Sequence, residues 1–277
     1  MAETLGVLLT TFNVEETLRA CLESVKWADD ILVVDSYSTD KTLEIAREYT
    51  DHIVQHEYKN AAAQRNWALP QVKGDWVLVI DSDECLTPGL AARIQDILKN
   101  GSSCDGFRIK RMTIFFGKLI RHCGWHHQYV MRLWRNGKAE YQDRWVHAQA
   151  ILDGEAGTIH DYILHDTFRD FDDYMERFVR YTTWSSRDLY RKARKPSWVN
   201  LTLRPIWRFL RMYVFRHGFL DGKHGLILCT LAAFNVFAKY ARLWDRRRLE
   251  AADDTADTLS LAEQEKAREL GESLADS

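Results

Sequence analysis

The sequence predicts an α/β protein with a mainly parallel central sheet and helices on both faces. Apolar strand patterns alternate with helical patterns over the first 100 residues, which is typical of a parallel sheet covered by helices. Polar clusters follow three of the strands, at 10–13, 35–40 and 81–84. Open α/β sheets bind ligands beyond the carboxyl ends of their strands, so these clusters predict a site at that edge.

Each element of this half is predicted from its own pattern. Leu18, Cys21, Leu22 and Val25 have the spacing of one buried helix face, and Asn13 is the candidate N-cap of that helix. The predicted strands are 5–11, 31–35, 53–56 and 76–81, and the predicted helices are 15–27, 42–49, a short helix ending before 70, and 88–99.

Two aspartates one residue apart end the fourth strand pattern. In a strand that continues to Asp83, the side chains of Asp81 and Asp83 leave the same face, roughly 7 Å apart at the backbone. Both carboxylates then converge on one hard cation, Mg²⁺ or Mn²⁺, which neutralises a departing diphosphate. The alternative is a pair of loop acids, with Asp83 or Thr87 capping the next helix. A second Asp-x-Asp, at Asp170 and Asp172, lies in a helical pattern and is interpreted as a solvated face.

Composition limits the class of protein. A chain of 277 residues buries a core without disulfides, and its five cysteines include no Cys-x-x-Cys pair, which favours reduced thiols in the cytosol and no structural zinc. The start of the chain lacks the pattern of a cleaved secretory signal. Residues 250–277 carry nine acids against two bases, so the first 249 residues have a net charge of +5. This acidic tail is predicted to be solvated.

The second half changes character. Strand patterns at 107–116 and 129–134 are interpreted as the acceptor side of a site, and helical patterns follow. Segment 187–216 holds nine Lys or Arg against one acid, interleaved with aromatic residues, and 225–238 is apolar. A basic aromatic segment beside an apolar run too short to span a bilayer predicts a monotopic helix on the inner leaflet. Nucleic acid is the disfavoured alternative partner, because nucleic-acid grooves rarely adjoin such a run.

Four ordered motifs together resemble family 2 glycosyltransferases. They are Leu-Thr-Thr-Phe-Asn at 9–13, Val-Val-Asp-Ser-Tyr-Ser-Thr-Asp at 33–40, Ala-Gln-Arg-Asn at 63–66 and Asp-Ser-Asp-Glu at 81–84. The stretches at 146–147, 164–170 and 216–222 resemble the lipopolysaccharide core glucosyltransferase subgroup. The resemblance implies the GT-A fold and a nucleotide-sugar donor, and UDP-glucose is the expected donor.

The resemblance also implies roles for individual residues. Thr10, Phe12 and Asn13 are expected to line the nucleotide pocket. Asp35 is expected to accept hydrogen bonds from the nucleobase or ribose, and Arg65 to face the nucleotide as a fixed cation; the simpler alternatives are a loop cap and a surface cation. Asp81 is expected near the ribose and the metal, and Asp83 on the metal itself.

The general base is where this chain departs from the pattern. Many relatives have Val-His-Glu where this chain has Val146-His147-Ala148. Asp143 is the expected substitute for this base, and Glu140 and His147 are the next candidates. The spacing of His122, Cys123, His126 and His127 matches no four-ligand zinc site, and the cluster is interpreted as a loop lining the acceptor pocket or as ordinary surface histidines.

The resulting expectation is an inverting hexosyltransferase that acts on a lipopolysaccharide inner-core heptose at the cytoplasmic face of the inner membrane. The expected regions are a catalytic domain at 1–165, divided into a nucleotide half (1–100) and an acceptor half (101–165), a helical membrane-proximal region at 166–249, and the tail at 250–277. Two alternatives stay open: transfer to polyprenyl phosphate, which requires no general base, and a non-catalytic glycan- or nucleotide-binding protein on the membrane.

Overall fold

The computed structural model of the chain describes residues 2–125, 128–142, 149–168 and 170–275, except for the side chains of 167 and 252–275. The strands are β1 (Leu5–Thr11), β2 (Asp30–Asp35), β3 (Ile53–Gln55), β4 (Trp76–Asp81), β5 (Glu84–Leu86), β6 (Gly106–Phe115), β7 (Lys118–Leu119), β8 (Gln128–Arg135), β9 (Ala139–Tyr141), β10 (Ala150–Leu152) and β11 (Ala156–Phe168). The helices are α1 (Leu18–Val25), α2 (Thr42–Arg47), α3 (Ala61–Ala68), α4 (Pro88–Asn100), α5 (Phe171–Arg191), α6 (Trp198–Leu201), α7 (Leu203–Leu210) and α8 (Gly222–Ala275).

One mixed sheet carries the first compact unit, Met1–Arg169. Its strand order is β3-β2-β1-β4-β8-β6-β11-β5, with β7 paired to β6. The first four strands are parallel, β8 runs antiparallel between β4 and β6, β11 is parallel to β6, and β5 is antiparallel to β11. The predicted α/β architecture is therefore confirmed. In the acceptor half, the sheet is mixed. Antiparallel neighbours such as β6 and β8 can be joined without the helical crossover that parallel strands need.

The parallel strands are buried on both faces, as helices on each side require. In β1, Leu5, Val7 and Leu9 pack into the core cluster on one face, and Leu8 packs into the cluster on the other. The same alternation in β4 places Trp76 in the core cluster that contains Leu5, Val7 and Leu9. Period-two packing of near-continuous apolar runs gives these strands their register.

That register brings the three predicted polar clusters together. Thr10 pairs with Asp81 across β1 and β4, and Thr11 pairs with Asp35 across β1 and β2. The strands run in the same direction, so their carboxyl ends meet at one edge. The predicted clustering at this edge is confirmed.

The second compact unit, Asp170–Ser277, is helical. Phe178 of α5 stacks on Phe234 of α8, with ring centroids 5.1 Å apart. A π-helical turn (Arg211–Phe215) and a 3-10 turn (Gly218–Asp221) join α7 to α8. Within the described residues, one helical stretch, Gly218–Ala251, has the length and apolar composition of a membrane-crossing helix, and it contains the apolar run 225–238.

Candidate active site

The turn between β4 and β5 places the paired aspartates. Strand β4 ends at Asp81, Ser82 and Asp83 form a turn, and β5 begins at Glu84. The expectation that the strand continues to Asp83 is therefore wrong, and strand alternation does not set the direction of its side chain. Thr87 caps α4 by accepting a hydrogen bond from the backbone N–H of Leu90, which confirms one of the two candidate caps.

Asp81 is held by two arginines, one on each carboxylate oxygen. Arg65 of α3 donates through Nη2 to Oδ1, and Arg132 of β8 donates through Nη2 to Oδ2 at 2.6 Å. The same Nη2 of Arg132 lies 2.8 Å from Oε1 of Glu84. Oε2 of Glu84 in turn accepts the backbone N–H of Asp81 at 3.1 Å. Both ends of the Asp81 carboxylate are thus occupied by charge-assisted hydrogen bonds.

Burial and charge act in opposite directions on this carboxylate. Burial alone would raise the pKa of Asp81, but the neighbouring charges of Arg132 and Arg65 outweigh it and hold that pKa far below its usual range. Burial alone would lower the pKa of Arg132, but the negative charges of Asp81 and Glu84 outweigh burial. The pKa of Arg132 therefore lies well above its ordinary value. Asp81 and Arg132 are therefore ionised throughout the physiological range.

Sequence patterns did not identify Arg132, although a signal was present. It stands between Met131 and Leu133 in a strand of apolar residues, and its side chain is 6% exposed. Arginine is almost never buried unless it is paired, so an arginine at a core position of a strand predicts a buried partner. Arg111 of β6 lies 3.5 Å from Glu84 and extends the same network.

Asp83 lies beside a histidine from the far end of the sheet. Nε2 of His165 on β11 is 3.4 Å from Oδ2 of Asp83, and the backbone N–H of Asp166 donates to the carbonyl of Asp83. Among the described residues, no three His, Cys, Asp or Glu side chains form a ready metal cage. A single carboxylate still suits Mn²⁺ or Mg²⁺, which are commonly bound by one or two carboxylates and complete their shell with water and substrate phosphates. Both oxygens of Asp81 are already occupied by Arg65 and Arg132, which disfavours Asp81 as the metal ligand.

Asp35 organises the loop that follows β2. It is fully buried, and its carboxylate accepts hydrogen bonds from Thr11 Oγ1, Ser38 N, Ser38 Oγ and Gln55 Nε2 at 2.5–3.1 Å. The alternative role as a loop cap is confirmed by these bonds. A contact between Asp35 and a nucleotide stays a prediction.

The loop after β1 is tied to the loop after β2. Asn13 adopts a left-handed conformation with φ of 49°, its Oδ1 accepts from Thr39 N at 2.8 Å, and its own N–H donates to Ser38 Oγ at 2.9 Å. The N-cap of α1 is Thr17, so the prediction that Asn13 caps this helix is wrong: its amide joins the two loops instead. Phe12, one residue before, is 59% exposed and available to contact a planar ligand.

Tyr141 lies against Arg65, one of the two arginines that hold Asp81. The guanidinium of Arg65 lies 5.0 Å from the centroid of the Tyr141 ring, and the Asn66 side chain exchanges two hydrogen bonds with the backbone of Tyr141. The Tyr141 hydroxyl is buried and has no hydrogen-bond partner among the described residues. Glu140 is exposed on β9. The expected base Asp143, its fallback His147, and His126 and His127 lie outside the described residues.

The sequence profile described as "Glycosyl transferase family 2" matches residues 6–154, more than half of the chain. The chain belongs to glycosyl transferase family 2. The predicted family and its GT-A fold are confirmed, and the arginine and aspartate cluster lies in the matched region of this glycosyltransferase.

Relatives of this glycosyltransferase extend the match to most of its length. It is 27% identical to the lipopolysaccharide core biosynthesis glycosyltransferase LpsC of Rhizobium meliloti over 92% of this chain and 97% of that protein. It is 28% identical to the Escherichia coli UDP-Glc:alpha-D-GlcNAc-diphosphoundecaprenol beta-1,3-glucosyltransferase WfgD over 43% of this chain and 56% of WfgD. Among solved structures, S. aureus TarS 1-349 aligns with a TM-score of 0.45 at 17% identity, covering 89% of this chain and 92% of that one.

Proposed function

We propose that this glycosyltransferase transfers a hexose, glucose in the first instance, with inversion from a UDP-sugar to a heptose of the lipopolysaccharide inner core. The observation that carries the proposal is the ionised cluster of Arg65, Asp81 and Arg132 beside Asp83, at the sheet edge where family 2 enzymes bind their donor. The full-length similarity to LpsC supports the acceptor, and the sugar named for WfgD supports glucose. We place the reaction at the cytoplasmic face of the inner membrane, with residues 166–249 as the membrane-proximal region.

The roles of the residues follow from charge and exposure. The exposed Phe12 ring stacks on the nucleobase, while Asp35 and Asn13 keep the loops on either side of it in place. Arg65, anchored by Asp81, directs positive charge toward the diphosphate. Asp83, beside His165, would hold the divalent cation, which would supply further neutralisation of the leaving diphosphate.

The chemical step is a single displacement at the anomeric carbon. The acceptor hydroxyl attacks from the face opposite the diphosphate, the carbon–oxygen bond to the diphosphate breaks, and the bonding electrons leave with UDP. The hydroxyl proton passes to a carboxylate, for which we propose Asp143. Asp143→Asn is expected to lower kcat and to leave the KM for the donor unchanged.

The test compares two Asp-x-Asp motifs of the same chain. Asp83→Ala is expected to abolish transfer from UDP-glucose and Mn²⁺-dependent UDP binding measured by calorimetry. Asp172→Ala removes the exposed aspartate of the second motif and is expected to leave both unchanged. Intact turnover in Asp83→Ala would remove the assigned metal role.

The acceptor is tested separately with the unmodified enzyme. Transfer to a core oligosaccharide that ends in heptose, and none to polyprenyl phosphate, is the expected result. The reverse preference would assign the enzyme to polyprenyl-phosphate glycosylation, and binding of UDP without transfer to either acceptor would favour a non-catalytic binding protein.

A further inference from the structure

Helix α7 and the π-helical turn after it expose a row of large apolar side chains. The row follows helical spacing, so its members share one face. Its members are Leu203, Ile206, Trp207, Leu210 and Val214, which are 39–59% exposed. Exposed contiguous apolar side chains on a helix mark a surface that contacts a partner or a membrane.

Cations line the flank of this row. Arg204, Arg208 and Arg211 recur at i, i+4 and i+7, which is a second face of the same helical segment. Helix α8, which packs against α7, brings Lys239 and Tyr240 to this flank. Nη1 of Arg204 donates to the Tyr240 hydroxyl at 2.8 Å, and Nζ of Lys239 lies 5.3 Å from the centroid of the Tyr240 ring. The Tyr240 side chain itself is buried.

Counter-ions are missing from this cluster within the described part of the chain. None of Arg204, Arg208, Arg211 and Lys239 forms a hydrogen bond or an ion pair with a carboxylate there. Burial lowers the pKa of Arg208 and of Lys239, and the neighbouring cations lower both further. Partly buried like charges repel one another, so an anion bound among them would stabilise the unit.

We propose that α7 and α8 bind the phosphate of an anionic lipid headgroup through Arg204, Arg208, Arg211 and Lys239, while the adjoining apolar row inserts into the lipid. The proposal rests on the membrane location given under the proposed function, and it names the chemical group that this surface recognises. Arginine presents several donors to phosphate oxygens, which suits this ligand. A soluble phosphate would not need the exposed row beside it, whereas an interfacial helix combines an apolar face with cations. Residues 170–251, without the remainder of the acidic tail, carry seventeen Lys or Arg against eight Asp or Glu, which favours an anionic leaflet.

The experiment measures binding of the full chain to phosphatidylcholine vesicles that contain either phosphatidic acid or phosphatidylserine at equal surface charge. The unmodified protein is expected to prefer phosphatidic acid, whose phosphomonoester is open to the four cations. The double variant Arg208→Gln/Lys239→Gln is expected to lose this preference, and to lose about 30-fold in affinity for phosphatidic acid vesicles if each cation contributes about 1 kcal/mol. Trp207→Ser is expected to weaken binding to both vesicle types.

A matched control separates a binding site from diffuse attraction. Arg187→Gln/Arg191→Gln removes the same charge from exposed positions of α5 and is expected to lower binding to both vesicle types equally, with the preference retained. Loss of the preference in this control would overturn the proposal, as would its retention in Arg208→Gln/Lys239→Gln.

Inorganic phosphate distinguishes the two sources of the anion. If it raises the Tm of the unmodified protein but not of Arg208→Gln/Lys239→Gln, while vesicle preference is the same in both, the site takes a soluble phosphate and the lipid assignment is wrong. All these measurements use neither donor nor acceptor, so they succeed or fail independently of sugar transfer. Circular dichroism of each variant checks that the helices are retained.

Discussion

Arg132 offers the sharpest test of the energetics of the site. Its guanidinium donates to Asp81 at 2.6 Å and to Glu84 at 2.8 Å, and its side chain is almost completely buried. Arg132→Gln removes the positive charge but keeps a polar side chain of moderate length. Asp81 then retains Arg65, whereas the fully buried Glu84 retains Arg111, at 3.5 Å, as its one cation within the described residues, together with the backbone N–H of Asp81.

The expected effect follows from the charge left behind. Removing one partner of a buried ion pair costs about 3–5 kcal/mol, because the remaining charge is desolvated without compensation. Domains have unfolding free energies of about 5–15 kcal/mol, so we expect the variant to remain folded with a Tm lower by about 10 °C.

Arg135 on the same strand provides a matched control. It pairs with Glu3 at the same 2.6 Å distance, but both side chains are about one-third exposed. Solvent-exposed pairs contribute about 0–1 kcal/mol, so Arg135→Gln is expected to cost about 1 kcal/mol or less. Urea unfolding of both variants, followed by circular dichroism, gives the two free energies. Equal losses, or a loss below about 1 kcal/mol for Arg132→Gln, would refute the argument that burial strengthens this network.

Three further predictions concern acid stability, a helix cap and a close backbone approach. The pKa of Asp81 is depressed in the folded protein, so its stabilisation is present above a pH of about 4 and is lost as the pH falls below it; Asp81→Asn should flatten the dependence of the unfolding free energy on pH there. Thr87→Ala should lower the unfolding free energy measured in urea by about 1 kcal/mol, since it removes the cap of α4. Gly6→Ala places a Cβ in steric overlap with the backbone carbonyl oxygen of Lys73, so about 1–3 kcal/mol of overpacking strain should appear as a lower Tm; an unchanged Tm would contradict that overlap.

The elements of the nucleotide half were predictable because their patterns are local. The strand that ends at Asp81 and the helix that begins at Pro88 appear with the predicted bounds to within a residue. The edge cluster was predictable for a related reason, since parallel strands bring their carboxyl ends together whatever their order. Local pattern failed at Asn13, where an amide suited to a helix cap joins two loops instead. It failed again at Asp83, where a two-residue turn replaces the expected strand.

By itself, the sequence determined that this chain forms an α/β glycosyltransferase domain with acids at one sheet edge, because periodicity and short ordered motifs are properties of neighbouring residues. Only the tertiary structure decided which charges meet. Arg132 reaches Asp81 across 51 residues because β8 inserts beside β4, and Asn66 reaches Tyr141 across 75 residues because β9 lies against α3. Strand order and burial set those pairings. They make Arg132 and Asp81 a desolvated ion pair, and its strength depends on burial, which no local sequence pattern specifies.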